Sequence, residues 1–367
     1  MDKETGMNGL QATARKKTRN PAIEICRLVA SVSVIFIHQR FPGILGEVMN
    51  CLARFAVPFF FIVSGYFAYR VDTLVIKKRA VSVLKLNIYS TLIYLFWESY
   101  QAKYVFGQSI SVWQEDVFSQ KEIVRWIINC ANPLASHLWY LSAIFLCYFI
   151  LYMYVRWNGK PCQYFSLYMA GLLLYAVHFM MSSLVTAADF SVPYMIYRNV
   201  WFFGIPMFCL GIFLKEHQNK IFETYRLSSR MLFMIGVFGA ALSVFQWVGT
   251  GSVEMPAGTL IEVIALMLLL VSCPVDFGTG KVAAAVISRL GELSTYIYVT
   301  HVFWRDVYNI YWQKYVIGIG ETGKAYLSPV LVVLISVGTG VVWLILKASA
   351  EKVLRLLSDS SGKNAGR

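Results

Sequence analysis

The sequence has little charge for its length. Asp, Glu, Lys and Arg make up 14% of the 367 residues, whereas a soluble domain carries about 25%. So few charges cannot cover a water-soluble surface of this size. Because 57% of the residues are hydrophobic and the mean hydropathy is +0.57, most of the exterior must face something other than water. A lipid bilayer is the simplest such environment.

Paired cysteines are also missing. The chain has seven cysteines, an odd number, and none of them lies in a Cys-x-x-Cys spacing. Most of them lie inside apolar runs, where cysteine behaves as a small hydrophobic residue. Neither a disulfide scaffold nor a zinc site is therefore predicted. The sequence also lacks a Gly-rich phosphate loop and an HExxH motif, so we expect no metal and no tightly bound cofactor.

What the sequence does contain is a series of apolar stretches of about 20 residues, the length that crosses a hydrocarbon core of about 30 Å. The stretches do not alternate between apolar and polar residues, which favours helices over a membrane barrel. We therefore predict an all-α, polytopic integral membrane protein with about ten transmembrane helices. The predicted spans are 22–38, 52–69, 84–104, 137–155, 163–181, 194–214, 231–249, 257–273, 291–310 and 326–346.

Lys and Arg are distributed unevenly between the predicted connections. Most of the 33 lie in the two terminal segments and in alternate loops. Under the positive-inside rule both termini are then cytoplasmic, and the net charge of +13 requires no nucleic-acid partner. We expect a disordered basic tail at 1–20, a transmembrane domain at 21–347 and a second cytoplasmic tail at 348–367. The expected location is a bacterial cytoplasmic membrane.

The first apolar stretch begins and ends with ionisable residues. Residues 27–38 read RLVASVSVIFIH, with Arg27 at one end and His38 at the other. On an α-helix this spacing makes three turns plus roughly 20°, so both side chains leave the same face, about 16 Å apart along the axis. Glu24, one turn earlier, lies on that face too. Because lipid exposure of a charge costs several kcal/mol, we expect Arg27 and His38 to face one shared cavity.

Two interpretations of this helix are compatible with the spacing. In the structural one, Glu24 and Arg27 form an ion pair that fixes the start of the helix, and His38 caps its far end at the headgroups. In the functional one, the same helix presents polar groups to two compartments, with Arg27 near the cytoplasm and His38 near the outer surface.

The same stretch carries a pattern found in a known family. IEICRLVASVSVIFIH has an acidic residue, then Arg, then ten residues, then His, and it resembles the first helix of the membrane acyltransferase-3 family. Glu24 stands where the family more often has Asp, which keeps the charge. Four further stretches resemble later helices of that family in the same order, and the resemblance spans about residues 20–346. The four are RFAVPFFFIVSGYF at 54–67, HLWYL at 137–141, RNVWFFGIPMFCLG at 198–211 and STYIYVTH at 294–301.

This resemblance implies an O-acetylation enzyme. It would move an acyl group, usually acetyl, from a cytoplasmic acyl-CoA such as acetyl-CoA to a hydroxyl of a cell-surface polysaccharide, a lipid-linked sugar or a related acceptor. We expect His38 to be the general base, since imidazole titrates near neutrality, or else to carry the acyl group transiently. Arg27 stays charged at any working pH, and we expect it to bind the donor, with Glu24 orienting it.

Other residues are candidates for the two substrate sites. Lys77, Lys78 and Arg79 follow the second span and suit the phosphates of coenzyme A, although the positive-inside bias places such residues in every comparable loop. The candidates for the acceptor cavity are Arg54, Ser64, Trp139, Arg198, Glu262 and His301.

Each acceptor candidate also has a structural alternative. Arg54 and Arg198 open spans at the outer side, where arginines snorkel to the headgroups. Ser64 precedes a glycine and suits helix packing better than nucleophilic catalysis, while Trp139 suits an interfacial aromatic belt. Glu262 and His301 lie inside spans, where ionisable groups are functional hypotheses by default; the alternative for both is a buried polar contact.

A transporter or flippase for a small or lipid-linked polar substrate is the main alternative function. Interrupted spans and intramembrane charges also suit a transporter, but the sequence shows no clear inverted repeat, and its intramembrane charges concentrate on one helix face. A membrane sensor or assembly partner without chemistry is the third possibility. It predicts that alanine is tolerated both at Arg27 and at His38.

Overall fold

The computed structural model describes residues 20–159, 163–187, 196–251, 255–272 and 281–364. Within these ranges the chain forms helices and no β-strand, so the all-α prediction is confirmed. Most of the predicted N-terminal tail, residues 1–19, lies outside the described residues. The helices are α1 (Pro21–His38), α2 (Gly43–Ala53), α3 (Ala56–Tyr66), α4 (Thr73–Tyr100), α5 (Ile110–Val117), α6 (Gln120–Asn129), α7 (Trp139–Asn158), α8 (Phe165–Ala187), α9 (Ile205–Tyr225), α10 (Ser229–Thr250), α11 (Ala257–Ser272), α12 (Lys281–Val307) and α13 (Glu321–Asn364).

In the described part of the chain, 8 helical segments are long and apolar enough to cross a membrane. One of them combines α2 and α3, which are separated by a turn at Arg54 and Phe55. The two remaining predicted spans coincide with α11, which is apolar but shorter, and with part of α12, which is not among these 8 segments. The chain is thus a polytopic helical membrane protein, and α13 continues as a helix through residues 348–364, which the sequence assigns to a tail.

Helix α1 begins where local sequence favours a helix start. The side chain of Asn20 accepts a hydrogen bond from the backbone N–H of Ala22 at 3.0 Å, and Pro21 occupies the first turn. Asn is a preferred N-cap, and Pro at the first helical position needs no hydrogen-bond partner. The Asn20 amide also donates to the carbonyl of Leu270 at 3.0 Å, so the cap joins the start of α1 to the end of α11.

The helix α1 packs lengthwise against α12. The hydroxyl of Ser294 donates to the carbonyl of Arg27 at 2.9 Å, and His301 lies beside His38 near the other end of α1. The two helices therefore run in the same direction. This pairing places the polar face of α1 against protein, as the cost of exposing charge to lipid requires.

The stretches at 54–67 and 198–211, which begin with Arg54 and Arg198, pack against each other through α3 and α9. A Cβ atom built on Gly65 would lie 1.9 Å from the carbonyl oxygen of Phe208, and one on Gly211 would lie 2.1 Å from that of Ile62. Small residues let the two backbones approach this closely. The Ser64–Gly65 pair thus lies at a helix contact.

Candidate functional site

Three histidines from different parts of the chain meet at the end of α1. His38 ends α1, His301 lies in α12, and His137 lies in the short turn before α7. The ring centroids are 5.1 Å apart for His38 and His301, 6.2 Å for His38 and His137, and 5.0 Å for His137 and His301. His137 and His301 are buried, whereas His38 is half-buried. We call these residues the histidine cluster.

Backbone carbonyls determine the tautomers of the two buried rings. The Nε2 atom of His137 lies 3.2 Å from the carbonyl oxygen of Val299, and the Nδ1 atom of His301 lies 2.8 Å from that of Tyr298. A carbonyl oxygen only accepts hydrogen bonds, so these two nitrogens carry the protons. The other ring nitrogens, Nδ1 of His137 and Nε2 of His301, are then acceptors, and neither has a hydrogen-bond partner among the described residues.

A cleft of about 260 Å³ opens at the His38 end of α1. We call it the His38 cleft. Several of the predicted residues come together in its wall, although they are far apart in the sequence. Those lining it include His38, Arg40, Arg54, His137, Trp139 and Arg198.

The arginines of the His38 cleft are held by neighbouring side chains. The guanidinium of Arg198 lies 5.3 Å from the ring centre of Trp139. That of Arg54 lies 5.5 Å from the ring of Trp247, and its Nε–H donates to the Asn50 side chain at 3.2 Å. Both arginines therefore line the protein cleft, and their role in an acceptor cavity stays a prediction.

A second cavity of about 480 Å³ lies between α4, α12 and α13. We call it the Arg27 groove, because Arg27 borders it together with Tyr89, Glu292, Val299 and Trp343. The guanidinium of Arg27 also lies 3.4 Å from the carboxylate of Glu24. The predicted ion pair therefore forms, while the arginine side chain remains 32% exposed and can meet a ligand in the groove.

Arg27 and His38 do not share one cavity, contrary to the prediction from helical spacing. Val299 borders the Arg27 groove, and its carbonyl oxygen contacts Nε2 of His137, which borders the His38 cleft. A layer one or two side chains thick thus separates the cavities. Periodicity placed both residues on one face of α1, but it could not show that α12 and the turn carrying His137 pack beside that face.

A sequence model of a family described as an acyltransferase domain matches residues 20–348. The chain belongs to the acyltransferase-3 family. The match covers nearly the whole chain and includes the histidine cluster and both cavities. No curated protein and no solved structure matches the chain significantly. The family and the helices together make this protein a multi-pass membrane acyltransferase.

The three basic residues predicted to bind the donor do not form one cluster in this acyltransferase. Lys77 and Lys78 are exposed and border a surface pocket with Lys85. Arg79 points the other way, because its guanidinium donates to the carbonyl of Phe67 at 2.8 Å. The side chains of neighbouring residues on a helix point about 100° apart. Three consecutive side chains therefore cannot all point towards one side of the helix.

Three predicted acceptor residues, Ser64, Glu262 and His301, do not border the His38 cleft. Ser64 interacts instead with the phenol groups of Tyr140 and Tyr148 from α7. Glu262 lies on α11, where its backbone closely approaches Gly239 of α10. His301 contacts His38 but lies behind it and does not itself border the cleft. The structure therefore places Ser64 and Glu262 outside the predicted acceptor cavity.

His137 is the residue of this acyltransferase site that sequence reasoning missed. It lies in the HLWYL stretch, where Trp139 was the only selected candidate. A histidine just before a helix is most often an interfacial residue, so its position alone gives no reason to choose it. Its place in a stretch that resembles the family was the available signal. Among the described residues no group of His, Cys, Asp and Glu has the geometry of a metal site.

Proposed function

We propose that this acyltransferase moves an acetyl group from cytoplasmic acetyl-CoA to a hydroxyl of a cell-surface carbohydrate or a lipid-linked sugar. The observation that supports this proposal is the position of the histidine cluster between two cavities. The acceptor reaches His38 through the His38 cleft, and the donor thioester approaches through the Arg27 groove. The contact between Val299 and His137 that separates the two cavities must open for the acyl carbon to reach the acceptor oxygen. Helix α1 carries one residue for each cavity, Arg27 and His38.

His38 takes the proton of the acceptor hydroxyl. As that oxygen attacks the thioester carbonyl, a carbon–oxygen bond forms, the carbon–sulfur bond breaks, and the coenzyme A thiolate accepts a proton. If the N–H of His38 donates to Nδ1 of His137 or Nε2 of His301, its other nitrogen is left as the base. The alternative route has His38 carry the acyl group between donor and acceptor.

The Arg27 groove suits the extended arm of coenzyme A. Its walls are mainly apolar, with Leu86, Ile93 and Val299 among the lining residues. Arg27 offers a planar guanidinium that can bind a phosphate or carbonyl oxygen, and Glu24 orients it. The exposed Lys77 and Lys78, at the cytoplasmic start of α4, supply further positive charge for the coenzyme A phosphates.

The test is an analysis of surface glycans from cells with and without the gene, complemented by wild type or by His38→Ala. We expect ester-linked acetyl groups only with the wild type. A substrate that crosses the membrane in a His38-dependent manner, with no acylated product, would identify a transporter instead. Acetylation that persists with both His38→Ala and Arg27→Ala would contradict the proposed roles of these residues.

Arg27→Gln should weaken donor binding. Losing a charge-assisted hydrogen bond costs roughly 1.5–3 kcal/mol, so we expect KM for acetyl-CoA to rise about 10- to 100-fold with a smaller change in kcat. The matched control is Arg125→Gln, because Arg125 also pairs with a glutamate three residues away, Glu122 at 2.7 Å, and neither residue borders the groove or the cleft. An unchanged KM in the Arg27 variant would place the donor elsewhere.

A further inference from the structure

Tyr94 places its hydroxyl against the backbone of α12. The residue is 1% exposed on α4. Its hydroxyl donates to the carbonyl of Val299 at 2.9 Å and accepts from the backbone N–H of Phe303 at 3.1 Å. Val299 and Phe303 are four residues apart, so these two groups would bond each other in an uninterrupted α-helix. The Tyr94 hydroxyl thus inserts beside the i→i−4 hydrogen-bond ladder of α12, which continues as a helix through this turn.

The bridged turn is the one that carries His301. The same Val299 carbonyl also accepts from Nε2–H of His137. A carbonyl oxygen has two lone pairs, and because the hydroxyl of Tyr94 bridges to the N–H of Phe303, this oxygen can point towards α7 and meet His137. The Tyr94 ring also packs edge-on against His137, with centroids 4.9 Å apart. One tyrosine thus supports both neighbours of His38.

Tyr94 itself borders neither cavity. It therefore has no route to touch the acceptor or the donor, and an effect on the reaction must act through the residues that it holds. Tyr94 lies on α4 at the point where this helix contacts α12 and the turn before α7, so it can act through residues of both. The phenol of Tyr298 adds a parallel restraint on the backbone, since it donates to the carbonyl of His137.

We propose that Tyr94 is a positioning residue for acyl transfer. Its hydroxyl bridges the Val299 carbonyl and the Phe303 N–H of α12 and keeps that carbonyl directed at His137, so that His137 carries its proton on Nε2 and presents the lone pair of Nδ1 to His38. Without the hydroxyl, the N–H of Phe303 donates directly to the carbonyl of Val299. His137 is then free to take the tautomer that carries its proton on Nδ1. The inference rests on the proposed catalytic role of His38.

The test is Tyr94→Phe, which removes one oxygen atom. We expect kcat to fall about 10- to 100-fold, as expected for losing roughly 1.4–2.8 kcal/mol of transition-state stabilisation, with KM for acetyl-CoA unchanged. The chain has only 5 histidines, so ¹⁵N spectra of histidine-labelled protein in detergent can follow them individually. We expect the His137 signals to move away from the Nε2–H tautomer. Tyr104→Phe is the control, because Tyr104 is 66% exposed.

The possible outcomes separate this proposal from the proposed function. A lower kcat together with altered His137 signals in a folded variant supports it. Unchanged kcat overturns it, and so does a lower kcat with wild-type His137 signals, since the effect would then be only structural. If His38→Ala is fully active, the proposed function fails and the catalytic part of this inference fails with it, while the spectra still report whether Tyr94 controls the tautomer.

Discussion

His38→Gln is expected to lower the rate of acyl transfer by about 10²- to 10⁴-fold, the contribution that a positioned general base usually makes. Glutamine has a similar size and can still form hydrogen bonds in the His38 cleft, but it cannot take up a proton at working pH. His38 is half-buried beside a cavity, so the variant should still fold. The acceptor site should be retained, with little change in acceptor KM.

Transfer of radiolabelled acetyl groups by purified protein in liposomes measures this effect. The matched control is His217→Gln, because His217 stacks on Phe213 with centroids 4.3 Å apart on α9, away from the histidine cluster. Equal activity of the two variants would contradict a catalytic role for His38. Lower activity of His38→Gln than of His217→Gln, with equal thermal stability of the two variants, would support the catalytic role.

The same preparation distinguishes the two roles of His38. If His38 carries the acyl group, wild-type protein mixed with acetyl-CoA and no acceptor should release a burst of coenzyme A equal to the amount of enzyme. If His38 acts only as a base, no coenzyme A is released until the acceptor is added, because the acceptor oxygen is then the only nucleophile. In either case His38→Gln should show none.

Gly211→Ala is expected to destabilise the protein strongly. The added Cβ would lie 2.1 Å from the carbonyl oxygen of Ile62 and 2.8 Å from the backbone nitrogen of Tyr66. Both are backbone atoms, so no side chain can move away and α3 and α9 must separate. We expect a cost of about 3 kcal/mol, at the upper end of the usual range for overpacking. Thermal unfolding and size-exclusion chromatography in detergent measure it.

Gly249→Ala is the control for this substitution. Gly249 also lies in a helix, α10, but a Cβ there would meet no atom within 4 Å. Alanine should therefore be neutral or stabilise α10 by up to about 1 kcal/mol through helix propensity. If both alanine variants unfold at the wild-type temperature, the close contact between α3 and α9 is not needed for stability.

Local patterns were sufficient to predict much of this protein. Long apolar runs with few charges specify membrane helices, because each span must satisfy its own backbone hydrogen bonds in lipid. The spacing of Glu24 and Arg27 specified their ion pair, since residues three apart meet on a helix. The pattern ending in His38, and the later stretch ending in His301, indicated the family and two members of the histidine cluster.

Long-range packing decided the rest of the site. Periodicity defines a face of one helix but does not say which helix covers it, so the separation of the Arg27 groove from the His38 cleft could not be predicted. For the same reason the sequence could not show that Ser64 and Glu262 lie away from the cleft. His137 and Tyr94 acquire their roles only because α4 and α7 pack beside α12, where a side chain can bond the backbone of another helix.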